Sequence, residues 1–306
     1  MSVYSSALDY LHTLRDFIRW GASRMNAAGV HFGHGTDNAI DEAAALVLHA
    51  LHLPPDLHAE YFRAALTPQE KAAVMELFRR RIEERIPAPY LMRKTWFMGL
   101  PFYVDERVLI PRSPIAELID KHFSPWLTDP DGVGHILDLC CGSGCIGIAC
   151  AYAFPEAAVE LADISADALE VARRNIRDHH LQERVTALQS DLFQELAGRR
   201  YDLIVSNPPY VDRADMESLP AEYRHEPALA LAAGDDGLDV VREILRRAPD
   251  HLNPGGLLVV EVGNSQYALM DAFPELPLTW VEFERGEDGV FLIGAEELAA
   301  WRDSLS

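Results

Sequence analysis

The residues Asn207-Pro208-Pro209-Tyr210 follow directly on an apolar run, Asp202-Leu203-Ile204-Val205-Ser206, that reads as a β-strand. Their types suit one task, holding a flat group that carries nitrogen. The nitrogen of an amide, or of an amino group on a ring, shares its lone pair with a π system and attacks carbon poorly. Two acceptors, the Asn207 side-chain oxygen and the Pro208 carbonyl, can take its two N–H groups. They also stabilise the positive charge that grows on nitrogen during in-line attack on a methyl group. The prolines fix the turn, and Tyr210 offers a flat face. No strong base is needed, because the nitrogen sheds its proton after transfer. These residues fit transfer of a methyl group to nitrogen.

The donor of that group needs a site of its own. Upstream lies Asp138-Leu139-Cys140-Cys141-Gly142-Ser143-Gly144-Cys145-Ile146-Gly147, a loop between a strand pattern and a helix pattern. Gly142 and Gly144 let backbone approach a ligand, and Gly147 allows tight packing of helix on strand. Asp163 stands at the end of the next strand, roughly 20 residues beyond Gly142, where a carboxylate commonly holds ribose hydroxyls. Loop and carboxylate together predict a cofactor bearing a nucleoside, and leave open a dinucleotide or S-adenosylmethionine. Asp138 beneath the loop argues against pyrophosphate and suits ammonium and sulfonium charges.

Both loops must be carried at one end of a sheet. From residue 134 onward strand and helix patterns alternate. Strands are expected at 135–140, 159–162, 185–189, 202–206, 257–262, 279–284 and 289–293, and helices at 145–154, 166–179 and 238–252. Such alternation implies an α/β fold with a mostly parallel sheet covered on both faces, and ligands beyond the carboxyl ends of its strands. Ahead of it, residues 1–88 read as a helical bundle. An apolar stripe marks a helix over 5–28, a second runs over 38–52 capped by Asp37 or Asn38, and Thr67-Pro68-Gln69-Glu70 forms a capping box for a third. Period-two patterning over 95–110, with Gly99-Leu100-Pro101 as its turn, predicts a β-hairpin, so that 89–113 is a linker and 114–306 the transferase domain. A further helix is expected over 114–122. His31 and His34 read as ordinary loop histidines, and Arg79-Arg80-Arg81 with Glu83-Glu84 as a solvated helix face.

The chain has 306 residues, with 27 Lys and Arg against 48 Asp and Glu, a net charge of −21. That balance argues against a nucleic-acid backbone as main partner and suits a basic protein. No run approaches the roughly 18 apolar residues of a membrane span, and Asp9, Arg15 and Asp16 break any signal pattern. The four cysteines, at 140, 141, 145 and 150, read as reduced, buried thiols of a cytoplasmic protein. No metal site is expected, since no paired spacing or nearby histidine completes a ligand set.

Taken in order along the chain, these features resemble the class I S-adenosylmethionine-dependent methyltransferases, and within them the family that methylates protein glutamine. The likeness spans nearly the whole chain: helical N-terminal domain, hairpin ending Leu109-Ile110-Pro111-Arg112, glycine loop, Asp163, Asp191-Leu192, Asn207 to Tyr210, and Glu226-Pro227. One branch, acting on the third protein of the large ribosomal subunit, is similar also in His34-Gly35-Thr36-Asp37-Asn38, in 102–107, in Pro111 to Pro114 and in Glu222-Tyr223-Arg224-His225-Glu226-Pro227. The branch acting on release factors usually carries Pro-Glu-Thr-Glu after the arginine, where this chain has Ser113-Pro114-Ile115-Ala116.

The resemblance implies a Rossmann-like, mostly parallel seven-stranded sheet, S-adenosyl-L-methionine as cofactor, and a large-subunit ribosomal protein, free or in an assembly intermediate, as partner. By position, Cys140, Cys141, Gly142, Ser143 and Gly144 would wrap the methionine part, Asp163 the ribose, and Asp191 and Leu192 would border adenine. Asn207 would touch both cofactor and glutamine, with Pro208, Pro209 and Tyr210 completing the acceptor site. Arg112 and Glu226 are each read as either a substrate contact or a structural residue. A glycine is common where Cys140 stands, so a side chain narrows the loop there. The alternatives are the same chemistry on a release-factor glutamine, or on a DNA amino group, which would need a basic recognition surface. A noncatalytic docking module and a nicotinamide dehydrogenase also remain.

Overall fold

The structure is a computed structural model that describes residues 3–284 and 288–302. It divides into two compact units, one of residues 1–95 with 220–225, the other of 96–219 with 226–306.

The first unit is helical: α1 (Val3–Ala7), α2 (Leu14–Ala27), α3 (Ala39–Ala50), α4 (Pro68–Glu83) and α5 (Ala88–Met92). The stripe expected as one helix over 5–28 is two. Thr13 opens α2 with a capping box in which its hydroxyl accepts the Asp16 N–H while the Asp16 carboxylate accepts the Thr13 N–H at 2.8 Å. That local start signal, with Leu14 N–H donated to the Ala64 carbonyl, outweighs continuity of the stripe. Asn38 caps α3, and Thr67 and Glu70 form the expected box on α4.

The arginine run on α4 is not uniformly solvated. Arg79 and Arg80 pair with glutamates of their own helix end, but Arg81 is fully buried. Its guanidinium donates to Glu42 Oε1 at 2.6 Å, to Glu222 Oε1 at 3.2 Å and to the His31 carbonyl at 2.6 Å. Removing one partner from such a buried set typically costs about 3–5 kcal/mol. His34 is also buried, its ring 4.6 Å from that of Tyr223.

Strands β1 (Thr95–Phe97) and β2 (Leu100–Phe102) make the hairpin. Its turn falls at Met98 and Gly99, both at positive φ (50° and 74°), as a tight two-residue turn demands. Leu100 and Pro101, expected in the turn, lie in β2. The ladder ends at Phe102 because side chains take over the backbone. The Asn175 amide accepts the Tyr103 N–H and donates to the Tyr103 carbonyl.

The second unit holds α6 (Ile115–Asp120), β3 (His135–Leu139), α7 (Cys145–Ala153), β4 (Ala158–Asp163), α8 (Ala166–Asp178), β5 (Val185–Gln189), β6 (Tyr201–Ser206), α9 (Arg213–Ser218), α10 (Asp239–Arg247), β7 (Leu252–Glu261), α11 (Gln266–Ala272), β8 (Thr279–Trp280), β9 (Val290–Gly294) and α12 (Ala295–Ala300). Seven strands form one sheet in the order β5-β4-β3-β6-β7-β9-β8, parallel through β7, with β9 antiparallel to β7 and to β8. Alternate residues feed two cores. Ile136, Leu161, Val205 and Val259 pack with α6, α7 and α8, and Leu137, Ile204, Leu258 and Val260 with α10, α11 and α12. That is why the strands read as unbroken apolar runs. The helix expected over 238–252 stops at Arg247, since Pro249 cannot continue it, and β7 begins at Leu252, earlier than expected. Among the described residues no helix is long and apolar enough to cross a membrane.

Candidate active site

The order of strands reverses between β3 and β6, and the loops leaving β3, β4, β5 and β6 at this switch point line one cavity of about 220 Å³ in the second unit.

The loop after β3 supplies its floor. Cys140, Gly142 and Gly144 all have positive φ, at 61°, 53° and 78°. Cys140 thus sits where glycine is the easy occupant, at a cost of about 1–2 kcal/mol. Cys140, Cys141, Gly142 and Ser143 line the cavity. Gly144 does not: it precedes α7, and a Cβ there would lie 2.8 Å from Leu161, so its absent side chain serves packing. Burial pushes all four cysteine thiols up, Cys145 to about 12. They remain neutral and act as small apolar groups.

Asp163, at the end of β4, lines the cavity and is fixed by backbone. Its Oδ2 accepts the Gly142 N–H and its Oδ1 the Ser165 N–H, each at 2.9 Å. Burial nonetheless pushes its carboxyl up, the backbone bonds offsetting this in part. A carboxylate accepts about four hydrogen bonds, so the backbone bonds leave acceptor capacity for a hydroxyl. Beneath the loop Asp138 is fully buried. Its Oδ2 accepts the Gly147 N–H at 2.8 Å, while its Oδ1 has no hydrogen-bond partner among the described residues. Burial pushes this carboxyl up to about 7, the Gly147 bond works against that, and the charge of Asp163 adds to it. Two carboxyls short of positive partners fit a cationic ligand and do not fit a pyrophosphate. After β5, Asp191 and Leu192 line the opposite wall, and Gln194 donates to Asp191 Oδ2 at 2.6 Å.

The loop after β6 brings the residues expected to hold the acceptor. Ser206 Oγ donates to the Leu139 carbonyl at 2.7 Å and ties the ends of β6 and β3 together. Asn207 follows, half-buried and lining the cavity, and its side chain makes no hydrogen bond among the described residues. Pro209 lines the cavity, whereas Pro208 is buried outside the lining. Tyr210 is not part of the lining either. Its hydroxyl donates to Glu261 Oε1 at 3.1 Å, its carbonyl accepts from Ser265 Oγ at 2.7 Å, and its ring lies so close over Gly263 that a Cβ there would be 2.6 Å away.

Arg112 lines the cavity, and Glu226 lies buried behind it. The two form a fork, Nη1 to Oε1 at 2.8 Å and Nη2 to Oε2 at 2.7 Å, while Glu226 also accepts the Ile110 N–H at 3.0 Å. Glu226 is not part of the cavity lining, and hydrogen bonds tie it to Arg112 and the Ile110 backbone.

Three residues escaped the sequence reading. Arg107 lines the cavity, held by two bonds to Asp105 and one to Glu170. Burial pushes the Asp105 carboxyl up, but the bonds from Arg107 and Tyr103 outweigh it and bring it down to about 2. Ser113 lines the cavity and donates to Glu261, the last residue of β7. Glu261 had the same signal as Asp163, a carboxylate ending an apolar strand.

Residues 123–222 match the family described as Methyltransferase small domain. Over nearly its full length the chain is similar to two proteins named ribosomal protein uL3 glutamine methyltransferase. That of Francisella tularensis is 50% identical, over 97% of this chain and 95% of its own length. That of Bordetella pertussis is 51% identical, over 94% and 97%. Among solved structures, the hMettl16 catalytic domain in complex with a MAT2A 3′UTR hairpin is similar at a TM-score of 0.51 and 14% identity, over 73% of this chain and 80% of that one. At that identity the likeness concerns the fold alone, the class I methyltransferase architecture.

Proposed function

The chain belongs to the family of ribosomal protein uL3 glutamine methyltransferases, and from that membership we propose that it transfers a methyl group from S-adenosyl-L-methionine to the side-chain amide nitrogen of a glutamine in uL3. The observation that carries the reading is Asn207: an amide that makes no side-chain hydrogen bond among the described residues and directly follows β6, in the same cavity as Asp163.

When bound, S-adenosyl-L-methionine supplies a methyl group on positively charged sulfur. The residues of the chain do the rest. The remaining acceptor capacity of Asp163 serves the ribose hydroxyls, Asp191 and Leu192 border the adenine, and the loop 140–144 lies along the methionine part. Asp138 and Asp163 favour the positive charge of this ligand from below. Asn207 Oδ1 and the Pro208 carbonyl accept the two N–H groups of the target amide and set its lone pair in line with the methyl carbon. Partial positive charge on nitrogen strengthens both bonds as transfer proceeds, which lowers the barrier. The proton then passes from nitrogen to solvent water, and the products are N-methylglutamine, S-adenosylhomocysteine and a proton. Arg112, clamped by Glu226, presents a fixed edge of positive charge to the incoming polypeptide.

We assign substrate selection to the helical unit, since the second unit carries the chemistry, and a net charge of −21 suits a basic ribosomal protein as partner, free or in an assembly intermediate. A cytoplasmic location and the absence of sequence-specific DNA binding go with that partner.

The test is tritium transfer from labelled S-adenosylmethionine into purified uL3, a release factor and duplex DNA, with mass spectrometry of the labelled residue. Label on a glutamine of uL3 alone is expected. Label on the release factor alone would keep the reaction and overturn the substrate, and label on DNA alone would overturn both.

A further inference from the structure

One buried carboxylate at the acceptor end of the cavity joins two segments far apart in sequence. Glu261 ends β7 and is 5% exposed. The residue before it, Val260, pairs with Ser206 in the parallel ladder, so Glu261 stands at the level of Asn207 on the neighbouring strand. Its Oε2 accepts from Ser113 Oγ at 2.5 Å and its Oε1 accepts from the Tyr210 hydroxyl at 3.1 Å. Ser113 is itself buried, lines the cavity, and accepts the N–H of Ile115 as α6 begins. Tyr210 closes the turn that starts at Asn207, and its carbonyl and ring are fixed against Ser265 and Gly263.

A buried carboxyl group is an expensive way to fill space, because apolar groups of similar volume would hold the two segments with equal or greater stability. What it adds is direction. A hydrogen bond from a hydroxyl to a carboxyl oxygen is directional, and two such bonds to one carboxyl group fix the distance between their donors. We infer that Glu261 is a positioning residue that sets the Asn207 to Tyr210 turn against Ser113 in the cavity wall, an inference that rests on reading this turn as the acceptor site. Ser113 and Tyr210 then act as one unit through Glu261. Loss of either hydroxyl lets the turn drift, and drifts well below 1 Å already slow a transfer that depends on alignment.

The test is a double-mutant cycle on Ser113→Ala and Tyr210→Phe in the full chain, with turnover on uL3 and affinity for S-adenosylhomocysteine measured together. Each single change is expected to lower kcat about tenfold and leave donor-site affinity within about twofold. The double variant should also lose about tenfold, where independent residues would lose about a hundredfold. Glu261→Gln, which keeps shape but replaces one acceptor oxygen by a donor NH2 group, should match the single variants. A hundredfold loss in the double variant, or wild-type kcat in Glu261→Gln, would overturn the inference. The NMR signal of the Asn207 side-chain amide reports the turn with no acceptor present. It should move alike in Ser113→Ala and Glu261→Gln, and a signal that stays in place overturns the positioning role whatever the substrate proves to be.

Discussion

The two halves of the cavity are built by different means. On the side proposed for the donor the work falls to backbone: three residues at positive φ in the loop after β3, and a carboxylate, Asp163, whose two oxygens are each anchored by a main-chain N–H. On the side proposed for the acceptor it falls to side chains from distant segments: the Arg112–Glu226 fork, the Ser113–Glu261–Tyr210 bridge, and Asn207, which makes no side-chain hydrogen bond among the described residues. A backbone cradle suits a ligand that is the same in every turnover. Side-chain clamps can be exchanged one at a time, which suits a site where the acceptor is what varies.

The contrast can be broken most sharply at Asn207. Asn207→Ala should lower kcat by about 10²–10³, as loss of one transition-state hydrogen bond does, with the fold retained by circular dichroism. Near-normal turnover would mean that the acceptor amide is held elsewhere. Next in size, Glu226→Ala removes the two bonds of the Arg112 fork and the acceptor of the Ile110 N–H. A loss of about 2–3 kcal/mol in denaturant unfolding is expected, the half-open position of Arg112 keeping it below the cost for a fully buried pair.

The donor side has a pH signature. The folded Asp138 carboxyl takes up its proton near pH 7, and the unfolded one does so near the ordinary 3.8. Between those values the folded state binds the extra proton, so this group adds stability as pH falls through 7 and loses it as pH rises. Asp138→Asn should flatten that part of the stability profile between pH 8 and 5, and an unchanged slope would place its titration elsewhere. The smallest effect separates two glycines of one loop. Gly142→Ala meets nothing within 4 Å and should cost about 1 kcal/mol through its positive φ, whereas Gly144→Ala should cost more, because Leu161 stands 2.8 Å from the added carbon. Equal losses would contradict the assignment of Gly142 to the cavity and Gly144 to packing.

The same division governs how much was legible in the sequence. The sheet, its order of elements and the donor loop could be read, because apolar runs, glycines and a carboxylate at a strand end are local signals. The places of Asp163, Asp191 and Asn207 follow from the rule that ligands lie beyond the carboxyl ends of parallel strands. What could not be read is pairing across distance. Nothing local to Glu226 says that it lies behind Arg112, nothing local to Tyr210 says that its hydroxyl points to Glu261, and nothing in an alternating Arg/Glu run says that Arg81 alone turns inward to Glu42 and Glu222. The break at Thr13 was different. Its capping signal with Asp16 is present in the sequence and was hidden by a longer apolar stripe. The attachment of 220–225 to the helical unit runs through the Glu222 bonds, the Tyr223 ring against His31 and His34, and His225 on the Glu84 carbonyl, and has no local signature.

The most direct measurement of the contrast is calorimetric titration of S-adenosylhomocysteine into Asp163→Ala and Asn207→Ala, each paired with single-turnover methyl transfer to uL3 at saturating donor. Asp163→Ala should lose roughly 10–100-fold in affinity, since it gives up charge-assisted hydrogen bonding to hydroxyls, and should recover most of its transfer rate once saturated. Asn207→Ala should bind within a few-fold of the parent and stay slow at any donor concentration. Full affinity in Asp163→Ala, or a transfer rate that saturating donor restores in Asn207→Ala, would contradict the division of the cavity into a half that binds and a half that reacts.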